Sequence, residues 1–67
     1  MMQIKVNGET REFEAPLNVF MLTEQLAVNP AQVAIERNRE IIPRSRYGDT
    51  TLSEGDEIEI VRFIGGG

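Results

Sequence analysis

The chain ends with three glycines, Gly65, Gly66 and Gly67, which directly follow the apolar segment VRFI. Glycine has no side chain, so the group in this segment that can react is the α-carboxylate of Gly67. A carboxylate is a weak electrophile, but its adenylate has a good leaving group, and a sulfur or nitrogen nucleophile can then attack the carbonyl carbon. Another protein must supply ATP and the nucleophile. We predict that Gly67 is the reacting residue.

The glycines before the end suit a segment that threads into a narrow channel. Residues without a Cβ atom are slim and conformationally free, and three extended residues reach roughly 10 Å. We therefore predict a folded domain over residues 1–64 and a flexible tail over residues 65–67, in which Gly65 and Gly66 occupy the channel of a partner. The alternative interpretation is a frayed end without function.

The remaining composition excludes most catalytic chemistries. The 67 residues include no cysteine and no histidine, so thiolate nucleophiles, disulfides and the commonest metal ligand are absent. A domain of this size has one thin core and little room for an internal active site. A formal net charge of −4 argues against nucleic-acid binding, and no apolar run is long enough to cross a membrane. We expect a cytoplasmic protein that binds no metal.

The N-terminal segment predicts a β-hairpin. Ile4 and Val6 alternate with polar residues, and the dipeptide Asn7-Gly8 is typical of a two-residue turn. The chain then resumes in an extended form over residues 9–14.

A helix is predicted in the segment PLNVFMLTEQLAVNP. Asn18 is the expected N-cap, and Leu17 is placed to meet Leu22 in a hydrophobic staple. Asn29 and Pro30 are expected to end the helix. The apolar residues at helical spacing are Val19, Leu22 and Leu26.

Three further strands are predicted, two of them around the turn at residues 37–39 and one after a turn at Gly55-Asp56, with an irregular stretch over residues 43–53 between. The order ββαβββ favours an α+β roll, in which a mixed sheet packs on one main helix and the first and last strands pair in parallel. Asp56 is interpreted as closing its turn. The arginines interpreted as solvated surface are Arg37, Arg39, Arg44 and Arg46.

The final strand has two faces of different character. Ile58 and Ile60 alternate with glutamates, so both isoleucines are predicted to face the core. The same alternation places Val61 and Phe63 on the opposite face, which begins acidic and ends apolar. We predict that Val61, Phe63 and the adjacent Ile64 form a docking surface for a partner.

The element order, the segment EGDEIEIV and the glycine end resemble the ubiquitin-like sulfur carriers. Among these carriers, IERNREIIPR at positions 35–44 and the ending VRFIGGG resemble the ThiS family, and the resemblance covers the whole chain. Gly66 and Gly67 match the family's diglycine end, and Gly65 is one glycine more.

The resemblance implies a ubiquitin-like β-grasp fold and a role as a protein cosubstrate. A ThiF-type adenylyltransferase would use ATP to adenylate Gly67, so the chain itself would bind no cofactor. Sulfur from a cysteine-desulfurase persulfide would then give a thiocarboxylate. A ThiG-type thiazole synthase would take that sulfur for the thiazole ring of thiamine.

Other interpretations remain open at this level. The small subunit of molybdopterin synthase and the carriers for tRNA thiolation or cysteine synthesis share this fold and chemistry, which fold analogy does not separate. A ubiquitin-like protein modifier would be joined to target lysines, and with Lys5 as its single lysine it has one site for chains of itself. An interaction module with an inert tail is the third class.

Overall fold

The computed structural model describes residues 1–63, which form a five-stranded sheet and one main helix. The main elements are β1 (Met2–Val6), β2 (Glu9–Phe13), α1 (Val19–Gln25), β3 (Val33–Arg37), β4 (Glu40–Ile42) and β5 (Glu57–Arg62). This order confirms the predicted ββαβββ sequence. Short 3₁₀ helices occupy Pro30–Gln32 and Arg44–Asp49, so part of the stretch that was expected to be irregular is helical.

The sheet has the strand order β2-β1-β5-β3-β4, with β5 at its centre. Strands β1 and β5 pair in parallel, with Lys5 opposite Glu57 and Val6 opposite Ile58, which confirms the predicted pairing of the first and last strands. The other neighbours are antiparallel. Both halves of the chain therefore meet on the strand that leads to the glycine tail.

Two-residue turns connect the strands of both hairpins. Asn7 and Gly8 have φ of 50° and 85°, the left-handed pair of a type I′ turn, whose twist matches that of the flanking strands. The predicted hairpin is thereby confirmed. Asn38 and Arg39 adopt the same kind of turn, with φ of 51° and 74°, although no glycine is present there.

Helix α1 begins where the sequence predicts. The Asn18 side-chain Oδ1 accepts a hydrogen bond from the Met21 N–H at 2.7 Å, which satisfies one of the unpaired donors of the first turn. The predicted end is wrong, because α1 ends at Gln25, before Asn29 and Pro30.

An early C-terminal cap ends the helix. Ala27 has a left-handed φ of 58°, and its N–H donates to the Glu24 carbonyl at 3.1 Å. The Val28 N–H donates to the Thr23 carbonyl at 3.0 Å. This pair of bonds is the Schellman arrangement. It leaves α1 with seven residues, too few to cover the full length of the sheet.

The core lies between α1 and one face of the sheet. Its most deeply buried side chains are Ile4, Leu17, Val19, Leu22, Ile35 and Ile58. Ile58 is fully buried, as predicted, whereas Ile60 is only partly buried and packs against the margin of the core. The prediction of a core position for Ile60 was therefore too strong, because α1 stops before it covers that end of β5.

Candidate functional site

The predicted docking residues that the structure describes are exposed. Val61 is 58% exposed and Phe63 is 59% exposed, whereas Ile58 on the opposite face is fully buried. The alternation along β5 therefore places both side chains as predicted. Ile64, the third residue of the predicted surface, lies outside the described residues.

Val61 belongs to a larger exposed surface, which we call the outer face, on the side of the sheet away from α1. Val61 lies opposite Ala34, and Glu59 lies opposite Glu36. On the far side of β3, Glu36 is opposite Ile41, which is 73% exposed. Apolar and acidic residues thus share this face, a combination that fits a partner with apolar and basic groups.

Ile41 was missed by the sequence reasoning, although a signal for it exists. Strand β4 is the short strand Glu40–Ile42, in which Ile42 is buried and Ile41 is exposed. Two adjacent isoleucines in a strand must point to opposite faces of the sheet. One of them therefore had to be exposed.

The sheet holds the segment that leads to the tail. The Phe63 N–H donates a hydrogen bond to the Gln32 carbonyl at 2.9 Å, which extends the β3–β5 pairing to the last described residue. The predicted reacting residue Gly67 and the predicted channel residues Gly65 and Gly66 lie outside the described residues. The structure therefore shows that the chain is held on the sheet up to Phe63, just before the predicted site residues.

Asp56 is the centre of a polar network at the start of β5. Its Oδ2 accepts hydrogen bonds from the Ser53 N–H at 2.8 Å and from Arg37 Nε at 2.9 Å. Its Oδ1 accepts a hydrogen bond from Asn38 Nδ2 at 3.0 Å. Asp56 closes its turn, as interpreted from the sequence, and it is buried.

The interpretation of Arg37 as solvated surface is wrong, because its guanidinium pairs with the Asp56 carboxylate. Arg39, Arg44 and Arg46 are exposed, as expected.

Each hairpin turn contains an asparagine that hydrogen-bonds to the backbone of β5. The Asn38 side-chain Oδ1 accepts from the Glu57 N–H at 2.9 Å, and the Asn38 N–H donates to the Glu57 carbonyl at 2.8 Å. Further along the strand, Asn7 Oδ1 accepts from the Ile60 N–H at 2.7 Å. The turns that contain Asn38 and Asn7 therefore position β5, the strand that carries the docking residues.

The network also sets the ionisation of Asp56. Burial alone would raise the pKa of the Asp56 carboxyl, but hydrogen bonds from Ser53, Asn38 and Arg37 and the charge of Arg37 together outweigh burial and hold this pKa below its usual range. Ionised Asp56 therefore stabilises the fold fully above the pKa of an unfolded aspartate, about 3.9. This contribution is lost as the pH falls through the lower pKa of the folded state.

Replacing Asp56 by asparagine is expected to lower the free energy of unfolding by about 2 to 3 kcal/mol near neutral pH, because Arg37 loses its charged partner. The difference from the unmodified protein should shrink below about pH 4, where the native carboxylate is itself protonated. Urea unfolding over a pH series measures both effects. The control is Asp49→Asn, at an exposed aspartate, which should have little effect, and a difference for Asp56→Asn that is independent of pH would contradict this account.

Other site types find no support in residues 1–63. No group of three or more acidic side chains there is arranged to hold a metal ion. Within the same range, no helix has the length and apolar character of a membrane span.

A mixed five-stranded sheet that wraps one helix, with parallel first and last strands at its centre, defines the ubiquitin-like β-grasp class. Within that class the chain belongs to the ThiS family, whose model matches residues 4–67. The crystal structure of a thiamine biosynthesis protein (ThiS) from Geobacter metallireducens superposes with a TM-score of 0.85 at 35% identity, over 98% of this chain and 100% of that one.

Proteins of two very different lengths are similar in sequence to this chain. The sulfur carrier protein ThiS of Escherichia coli is 33% identical over 66 residues, which cover 98% of this chain and 100% of that protein. A thiazole synthase of Paramagnetospirillum magneticum is 47% identical over 66 residues, again 98% of this chain. The chain spans only 20% of the length of that synthase.

Proposed function

We propose that this chain is a sulfur carrier for the thiamine thiazole ring, with Gly67 as the residue that is adenylated and converted to a thiocarboxylate. The observation that supports this most directly is the ThiS family match, which runs through residue 67 and includes the three glycines. In this role the chain is a substrate of other enzymes. It brings no catalytic residue of its own.

The proposed chemistry takes place on the Gly67 carboxylate. A carboxylate oxygen attacks the α-phosphorus of ATP on a ThiF-type adenylyltransferase, and pyrophosphate leaves. The terminal sulfur of a persulfide, generated by a cysteine desulfurase, then attacks the carbonyl carbon, and AMP leaves. A second thiol cleaves the resulting sulfur–sulfur bond, which releases the thiocarboxylate and leaves a disulfide behind.

The described part of the chain supports this chemistry by positioning. Val61 and Phe63 present an apolar surface beside the start of the tail, and the bond from Phe63 to Gln32 holds that start on the sheet. An enzyme docked on the outer face would thus receive Gly65 and Gly66 in a fixed direction. Such pre-organisation lowers the entropy cost of bringing the reacting group into place.

Thiazole synthase is the proposed acceptor of the sulfur. A thiazole synthase from Paramagnetospirillum magneticum contains a stretch that is 47% identical to nearly the whole of this chain, and one from Magnetococcus marinus contains a stretch that is 44% identical. A carrier and the enzyme that uses its sulfur act on the same group in succession, so their presence in one polypeptide fits this partnership.

The intact mass of the protein isolated from its native cells tests the proposal. A fraction whose mass corresponds to one oxygen replaced by one sulfur, and which loses that sulfur on incubation with thiazole synthase and its substrates, is the expected result. A ladder of conjugates to other proteins would instead indicate a protein modifier. A single unmodified mass under thiamine limitation would contradict the sulfur-carrier role.

A further inference from the structure

A groove of about 350 Å³ lies where α1 fails to cover the sheet. We call it the basic groove. Its floor is apolar and is formed by Val6, Leu26, Val28, Val33 and Ile60. Leu26, Val28 and Ile60 are only partly buried, so apolar surface remains open to solvent on the side of the sheet opposite the outer face.

Two arginines stand at the rim of this groove. Arg11 lies opposite the buried Ile4 in the β1–β2 pair, and Arg62 lies opposite the buried Val33 in the β3–β5 pair. Both arginines therefore occupy positions whose alternation points them to the core-facing side of the sheet. A charge on that side of an edge strand can serve to prevent sheet-to-sheet aggregation. That reason does not apply to Arg62, because β5 is the central strand.

Neither guanidinium group has a side-chain partner among residues 1–63. Among residues 1–63 the ion pair within 4.0 Å is that of Arg37 with Asp56, and neither Arg11 nor Arg62 donates a side-chain hydrogen bond within the same range. Glu9 also lines the rim, so the two arginines leave a net positive charge there, in a chain whose formal net charge is −4.

We propose that the basic groove binds an acidic peptide segment of thiazole synthase, with an apolar side chain on the groove floor and carboxylates on Arg11 and Arg62. A guanidinium binds a carboxylate through two parallel hydrogen bonds, which gives direction as well as charge complementarity. The rim residues are exposed and the groove is open, a shape that suits a segment of another protein better than a small molecule, most of whose surface is usually enclosed.

The position of the groove points to the partner that takes the tail. Arg62 immediately precedes Phe63, the last described residue before the glycine tail. This inference rests on the proposed function, in which the adenylyltransferase and then thiazole synthase receive the tail. The apolar outer face is proposed for the first enzyme, which leaves the basic groove for thiazole synthase. With the outer face on one side of β5 and the basic groove on the other, the carrier has two chemically different surfaces at the base of one tail.

Charge reversal at the rim tests the proposal. In a calorimetric titration with the thiazole synthase of the same organism, the double variant Arg11→Glu/Arg62→Glu is expected to bind at least about tenfold more weakly than the unmodified chain. The matched control is Arg39→Glu/Arg46→Glu, which changes the net charge equally at exposed arginines outside the groove and should stay within about twofold. Circular dichroism melting checks that both variants are folded.

The outcomes separate the two proposals. Equal weakening in both double variants, no weakening in the groove variant, or no binding of the unmodified chain would each overturn the groove assignment. The intact-mass measurement is independent of the groove. A chain that acquires sulfur in cells but binds the synthase regardless of Arg11 and Arg62 would keep the sulfur-carrier role and lose only this inference.

Discussion

Adding one alanine after Gly67 is expected to abolish the ATP–pyrophosphate exchange that the cognate adenylyltransferase catalyses on this chain. In the proposed mechanism, a carboxylate oxygen must reach the α-phosphorus of ATP at the end of a channel of the enzyme. An added residue moves that carboxylate outward by up to about 3.5 Å and places a Cβ atom in the channel. Misplacement by an ångström or more is costly for a reaction that depends on positioning.

Two controls separate the carboxylate from the rest of the chain. An alanine added before Met1 should leave the exchange rate unchanged, because it lies far along the sequence from the reacting end. Gly67→Ala keeps a carboxylate at the same position in the chain and adds only a Cβ atom, so it should reduce the rate without abolishing it. Undiminished exchange by the alanine-extended chain would mean that Gly67 is not the residue that is adenylated.

Local chemistry made several features of this fold predictable. The Asn7-Gly8 turn requires two left-handed residues in succession, which this dipeptide adopts at low cost. Asn18 supplies its acceptor to a donor three residues away. Each feature depends on neighbours in the sequence. The element order added the parallel pairing of the first and last strands, and the resemblance to a known family added the β-grasp fold.

The predictions that were wrong concern features that depend on distant residues or on an unusual backbone conformation. Arg37 pairs with a carboxylate 19 positions away, so its sequence context resembles that of any loop arginine. Helix α1 is followed by a C-terminal cap with a left-handed alanine, Ala27, where glycine would have been the recognisable signal. Ile60 alternates correctly with its neighbours, yet alternation gives the face of a residue and not the extent of the helix above it.

In the candidate site, too, some features follow from neighbouring residues in the sequence and others depend on the tertiary structure. Alternation along β5 was enough to place Val61 and Phe63 on the outer face. The addition of Ile41 to that face, and the basic groove between α1 and β5, both required the register of the sheet and the early end of the helix. A surface formed by several strands is therefore less visible in the sequence than a strand that has one apolar and one charged side.

Phe63→Ala and Ile58→Ala are expected to have opposite effects on binding and on stability. Phe63 is 59% exposed, so its truncation should change the free energy of unfolding little. The binding free energy of the Phe63→Ala variant for the adenylyltransferase should weaken by more than about 1 kcal/mol, as happens when an aromatic anchor of an interface is removed. Ile58 is fully buried, and truncating such a residue costs roughly 2 to 5 kcal/mol of stability.

Ile58 is the core position to compare with Phe63, because Ile60 lines the basic groove and retains exposure. A loss of that size is a large part of the roughly 5 to 15 kcal/mol that stabilises a typical domain, so Ile58→Ala should unfold at a much lower urea concentration than the unmodified chain. Urea unfolding gives the stability of each variant, and the KM for the carrier in the exchange assay reports its affinity. If Phe63→Ala unfolded much of the protein while the fraction that stays folded kept its affinity for the adenylyltransferase, Phe63 would belong to the core. The acidic residues of the outer face and the tail would then have to recruit the enzyme without an apolar anchor.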